Sequence, residues 1–259
     1  MNENLLTIEK RSSINGTFWK KRLIDDGINN DKTSDSKLNN ILETILFGRN
    51  IRKEDFSDFL DPKVNNLMID PSELVDMDIA IKEITLAMID NKKIGIIGDY
   101  DVDGTTSSSL LTNFFDHYNV NSDVYIPDRL KDGYGPNIFA FDQFIEKKID
   151  TVITVDCGSA SIKPLEYASK NGIKVIIIDH HKVDNVLPEC FAHINPTRKD
   201  DKSNLNHLAA VGLTFLFIVA LRRALREVKE FNNINEPNLK KYLDIVALGT
   251  ICDVVQLKT

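Results

Sequence analysis

A chain of 259 residues with 42% hydrophobic and 27% charged residues can bury a sizeable core, and its composition excludes large-scale disorder. Its net charge of −7 opposes a basic nucleic-acid surface, unless part of that negative charge exists to hold cations. No apolar run approaches the roughly 18 residues of a membrane span, and MNENLLTIEKRSS lacks the basic-then-apolar layout of a signal peptide, so a cytoplasmic location is expected.

Residues 1–90 read as a small helical segment. Within it, residues 17–35 hold the lone Trp19 and much of the polar run DDGINNDKTSDS, a loop signal. Leu38, Ile41, Leu42, Ile45 and Leu46 then recur at helical spacing ahead of Gly48, a suitable C-cap. Phe56, Phe59 and Leu60 form a shorter amphipathic piece that Asp61-Pro62 stops. The spacing predicts a third helix over residues 75–91, with Ile79, Ile81, Ile84, Ala87 and Met88 on its apolar face. These stripes read as packing.

From residue 91 the pattern becomes strands alternating with helices, the signature of an α/β fold with a parallel sheet and crossover helices. Strands are predicted at residues 94–98, 123–126, 151–155 and 174–178, and helices at 105–118, 137–147 and 162–171. Pro136 is expected to open the second of those helices and Gly172 to close the third. The runs TVITV and KVIII are nearly continuous in β-branched residues, as strands buried on both faces require.

Three strands end in groups suited to cations. The first runs into Asp99, Asp101 and Asp103, the third into Asp156, and the fourth into Asp179, His180 and His181. Carboxylates this close repel one another, and hard divalent ions taking oxygen ligands offset that repulsion. The carboxyl ends of parallel strands are also where open α/β sheets form their sites. The alternative for any one of these groups alone is a helix cap or a solvated turn. The cysteines Cys157, Cys190 and Cys252 have no CxxC spacing and are expected to be reduced, buried thiols.

GDYDVDGTTS, TVDCGS, DHHKV and LGTICDVVQL resemble the four ordered motifs of the DHH phosphoesterase superfamily, in the form of its bacterial single-strand-specific DNA exonucleases. FLDP, IPDRLKDGYG, INPTRKD and AAVGLTF, the last opening a long helix, fit the same pattern, so the resemblance covers the chain from about residue 14 onward. It implies a DHH domain over residues 91–259 and metal-dependent phosphodiester hydrolysis by two Mn2+ or Mg2+ ions. The implied activity is 5'-to-3' exonuclease action on single-stranded DNA in recombination and repair.

By the same resemblance, Asp101, Asp103, Asp156, His180 and His181 form the catalytic set. Asp101 and Asp103 serve separate metals, Asp156 bridges them, and His180 and Asp253 join the second. Asp99 fills a coordination place that many superfamily members give to a histidine, here Ile97. Asp179 is expected to orient the His180 ring. Arg129 and His181 are implied to meet the substrate phosphate, Arg129 having Asp132 as its alternative partner, while Gly133 and Gly135 bring that loop close to the site. Related exonucleases continue through a DHH-associated domain and an OB-fold, so a truncated chain, or a separate chain carrying those domains as a partner, is also expected. Two other readings stay open: a phosphoesterase of short oligonucleotides or cyclic dinucleotides, and a non-catalytic interaction module.

Overall fold

A computed structural model describes residues 14–16, 34–184 and 186–257. Most of the expected loop at residues 17–35, Trp19 included, therefore lies outside the described residues. The chain divides into two compact units at Met68/Ile69. That division places the third predicted helix with the sheet, although the sequence grouped it with residues 1–90.

The first unit contains α1 (Ser34–Gly48), α2 (Phe56–Leu60) and α3 (Val64–Leu67). Of the α1 stripe, Leu46 is buried, whereas Ile41, Leu42 and Ile45 remain exposed. Phe47 and Phe56 meet edge to face, with centroids 5.1 Å apart.

The second unit begins with α4 (Met77–Ile89), then β1 (Ile94–Gly98), α5 (Val102–His117) and β2 (Ser122–Tyr125). It continues through α6 (Ile138–Glu146), β3 (Thr151–Val155), α7 (Ile162–Lys170), β4 (Lys174–Ile178) and β5 (Ala192–Ile194), and ends in α8 (Ala210–Leu225) and α9 (Leu243–Cys252). All strand pairs are parallel, in the order β2-β1-β3-β4-β5. The strand order reverses between β1 and β3, and a crevice opens beyond their carboxyl ends at such a reversal.

Side-chain alternation divides the core in two. Ile94, Ile96, Ile153, Val155, Ile176 and Ile178 pack with buried residues of α4, α5 and α8. Ile97, Val152, Val175 and Ile177 pack with Phe141 and Phe144 of α6 and Leu165 and Ala168 of α7. Both sheet faces are thus dry, which is why β1, β3 and β4 read as continuous apolar runs.

Several boundaries differ from expectation. Asn137, rather than Pro136, starts α6, because its side chain accepts from the Ala140 amide at 2.8 Å. The sequence reading missed β5, whose three residues are too few for a periodic signal. Only Cys157 is fully buried; Cys190 is partly exposed and Cys252 exposed.

Candidate metal centre

The chain leaves β1 at Asp99, which is 2% exposed, and its amide continues the pairing to the Val155 carbonyl at 3.3 Å. Two residues later Asp101 caps α5, its carboxylate accepting from the Gly104 amide at 3.0 Å. The helix therefore begins three residues before its predicted start, and Asp103 lies within its first turn. This tight entry requires Gly104, where a Cβ would stand 2.5 Å from the Asp99 carbonyl oxygen.

Asp103 is wholly buried and already holds two donors. Its oxygens accept from the amides of Ala210 (2.6 Å) and Val211 (2.8 Å) at the start of α8. The positive end of that helix thus faces a carboxylate. Gly249 lets α9 approach the same point, since a Cβ there would lie 2.4 Å from Thr106 Oγ1 and 3.2 Å from Asp103 Oδ1. The approach brings Asp253, at the end of α9, toward the sheet.

At the centre lies Asp156, fully buried in a left-handed backbone conformation (φ 60°), with neither carboxylate oxygen hydrogen-bonded. His180 Nε2 stands 3.2 Å from Asp156 Oδ1, 3.7 Å from Asp103 Oδ2 and 3.7 Å from Asp253 Oδ2. None of these contacts has hydrogen-bond geometry, and Nε2 is buried without a partner. Asp99 Oδ1 is in the same condition.

Ligand atoms of Asp99, Asp101 and Asp156 lie within 4.8 Å of one another, as do those of Asp103, His180 and Asp253, and those of Asp156, His180 and His181. The six expected ligands are therefore brought together, with Asp156 common to two groups. Burial lifts the Asp99 and Asp103 carboxyls above their usual range. Burial and then the neighbouring Asp103 and Asp101 charges push Asp156 up to about 10. The Asp156 oxygens, Asp99 Oδ1 and His180 Nε2, which have no hydrogen-bond partner among the described residues, fit the needs of hard or borderline divalent cations.

Asp179 serves a different ring from the one expected. It accepts from the His181 ring at 2.8 Å and from the amides of Ser159 (3.1 Å), His180 (2.8 Å) and His181 (3.1 Å). It therefore orients His181, while His180 receives only a backbone contact. Burial opposes its ionisation, but the His181 bond and charge outweigh burial and hold the carboxyl well below its usual range. The same bond raises the His181 imidazole.

Arg129 is exposed, with its guanidinium carbon 5.5 Å from the centroid of the Tyr100 ring. Asp132, its alternative partner, accepts instead from the Tyr125 hydroxyl (2.9 Å) and the Asp128 amide (2.8 Å). Gly135 approaches Cys157 as expected, its Cβ position lying 3.4 Å from that side chain, whereas Gly133 serves the turn, having φ 79° and open space around it.

The sequence reading singled out neither Tyr134 nor Tyr100. Tyr134 donates to the Asp156 carbonyl at 3.0 Å and meets His181 and Tyr100 edge to face. Its place between two glycines of IPDRLKDGYG was the available signal. The Ala210 and Val211 amides had no side-chain signal at all.

The family described as "DHH family, N-terminal domain" matches residues 93–250. The chain is 34% identical over 232 residues to the single-stranded-DNA-specific exonuclease RecJ of Escherichia coli (strain K12), a match covering 88% of this chain and 40% of that protein. It is 35% identical over 191 residues to RecJ of Haemophilus influenzae, covering 73% and 33%. Among solved structures it resembles exonuclease RecJ bound to manganese, with a TM-score of 0.60 and 29% identity over 70% of this chain and 44% of that one. The chain thus spans well under half the length of these curated relatives.

Proposed function

This chain belongs to the DHH family, and from that membership and the geometry of its acidic cluster we propose that it is the metal-binding part of a 5'-to-3' exonuclease acting on single-stranded DNA. The observation that carries the reading is the buried Asp156 carboxylate, without a donor, between Asp99 and Asp101 on one side and His180 on the other.

Without a cation such a buried carboxylate either costs several kcal/mol to ionise or takes up a proton, as the rise of Asp156 to about 10 indicates. A protein retains such a cluster where a cation compensates it. Asp99, Asp101 and Asp156 would hold one Mn2+ or Mg2+ ion, and Asp103, His180 and Asp253 a second, with Asp156 shared. When bound, such ions supply Lewis-acid activation of a phosphodiester and of the attacking water.

The chain's own residues do the rest. Asp103 keeps its orientation through the two α8 amides, so its remaining lone pairs face the cluster. Asp179 anchors the His181 ring through Nδ1, leaving Nε2 free to meet a phosphate oxygen. Arg129, exposed above Tyr100, suits a neighbouring phosphate, and its guanidinium can engage two oxygens at once. The proposed setting is DNA recombination and repair in the cytoplasm, with further DNA-binding surface supplied by domains of the kind its longer relatives have room for.

The test is hydrolysis of end-labelled single-stranded oligonucleotides with Mn2+ added or chelated. Mn2+-dependent release of nucleotides from the 5' end is expected, together with a Mn2+-induced rise in Tm, and both should vanish in Asp156→Ala. Metal-independent cleavage, or a full Tm rise in Asp156→Ala, would overturn the reading.

A further inference from the structure

Behind His181 lies a second layer of buried polar groups that the metal cluster does not itself use. Ser159, 3% exposed, donates its amide to Asp179 Oδ2 at 3.1 Å. Its hydroxyl lies 2.8 Å from His193 Nε2 and accepts from Asn195 Nδ2 at 3.0 Å. Asn195, wholly buried, also donates to the His181 carbonyl at 2.9 Å, which the Thr197 hydroxyl reaches at 2.9 Å.

His193 is 2% exposed, and its Nδ1 is buried without a partner. Burial, and then the Arg198 charge, hold this imidazole down at about 4, so it is neutral at physiological pH. In a neutral ring, one nitrogen carries the proton. An unpartnered lone pair costs less than an unpartnered N–H, which places the proton on Nε2, donated to Ser159 Oγ. The Ser159 oxygen then accepts from both His193 and Asn195, which holds the residue in place while its amide donates to Asp179.

We propose that His193 and Ser159 are positioning residues, forming a buried chain from His193 through Ser159 to Asp179 that fixes the orientation of the His181 ring. The chain is directional. His193 Nε2 donates to the Ser159 hydroxyl and the Ser159 amide donates to Asp179 Oδ2, so the carboxylate has one oxygen committed to Ser159 and the other to His181. A merely space-filling role for His193 would not require a donor at the Nε2 position. The kinetic consequence rests on the phosphodiesterase reading above; the effect on His181 does not.

The experiment uses the full chain and has two readouts. The first is Mn2+-dependent hydrolysis of bis(p-nitrophenyl) phosphate, and the second is the hydrogen-bonded Nδ1 proton of His181 followed by nuclear magnetic resonance in the Mg2+-loaded protein. His193→Leu should lower kcat about tenfold while leaving KM and Mn2+ affinity within about twofold, the size expected for groups that orient a reacting side chain. The His181 proton should exchange faster. His193→Gln, which returns a donor near the Nε2 position, should recover most of both losses, and Ser159→Ala should match the leucine variant.

If His193→Leu does not fold, Ser159→Ala, which removes one hydroxyl, carries the comparison. Equal behaviour of the leucine and glutamine variants, or an unchanged His181 proton in Ser159→Ala, overturns the proposal. If the wild-type chain hydrolyses nothing, the proposed function fails. The His181 proton then decides this inference alone: loss in His193→Leu and Ser159→Ala with retention in His193→Gln supports it, and no change refutes it.

Discussion

Thr151–Val155 and Asp156 adjoin in sequence and obey opposite physics. In the strand every residue is buried and in register with β1 on one side and β4 on the other, with Val152, Ile153 and Val155 packed into the core. One residue further on, an equally buried side chain bears two carboxylate oxygens with no donor, on a left-handed backbone. The contrast recurs where Gly98 gives way to Asp99. The sheet interior stabilises the molecule, and its carboxyl edge draws on that stability to hold like charges together.

If that division is right, deleting apolar volume from the sheet's core should have the largest effect on folding. Phe144→Ala, in the layer under α6, should destabilise by about 3–5 kcal/mol, as removal of a buried ring does. Urea unfolding measures this, and Mn2+ should still raise the Tm of the folded fraction. A loss below about 1 kcal/mol would show that this layer is not the close-packed half the comparison assumes.

This half of the molecule was also the more legible in sequence. IGIIG, TVITV and KVIII mark β1, β3 and β4 to the residue, because burial on both faces forces a continuous apolar run. The edge was half legible. Carboxylates at strand ends announced a cation site, but Asp103 looked like a loop residue and lies in the first turn of α5. Its partners, the Ala210 and Val211 amides, are backbone groups that leave no composition signal. Asp179 was assigned to the wrong histidine, because adjacent rings in Asp-His-His cannot be told apart without knowing which one turns back.

A single glycine joins the two regions. At Gly249 a Cβ would stand 2.8 Å from Val211 Cγ1 as well as 2.4 Å from Thr106 Oγ1, so α9 would have to move away from α5 and α8. Gly249→Ala should cost about 1–3 kcal/mol, typical of overpacking. It should also weaken Mn2+ binding, because Asp253 sits four residues further along. A titration of Tm against Mn2+ separates the two effects. Unchanged metal response in a destabilised variant would detach α9 from the site.

The remaining expected effect has the opposite sign, and it tests whether the edge costs stability. In the folded, metal-free chain, burial and neighbouring charges raise Asp156 to about 10, from the usual carboxylate range it has when unfolded. A raised folded value means the native state binds a proton that the unfolded state has released. The resulting stabilisation is complete below about pH 4 and is lost progressively as pH rises toward 10. Asparagine does not titrate and resembles the protonated acid in shape, so Asp156→Asn should match wild type near pH 4 and exceed it at pH 8 in chelator. With Mn2+ the order should reverse, because binding needs the ionised carboxylate and strengthens as pH rises. Melting both proteins at pH 5 and pH 8, with metal and with chelator, gives the comparison. A metal-free asparagine variant less stable than wild type at pH 8 would mean that the Asp156 carboxylate is already compensated within the protein, and the case for a cation would lose its strongest support.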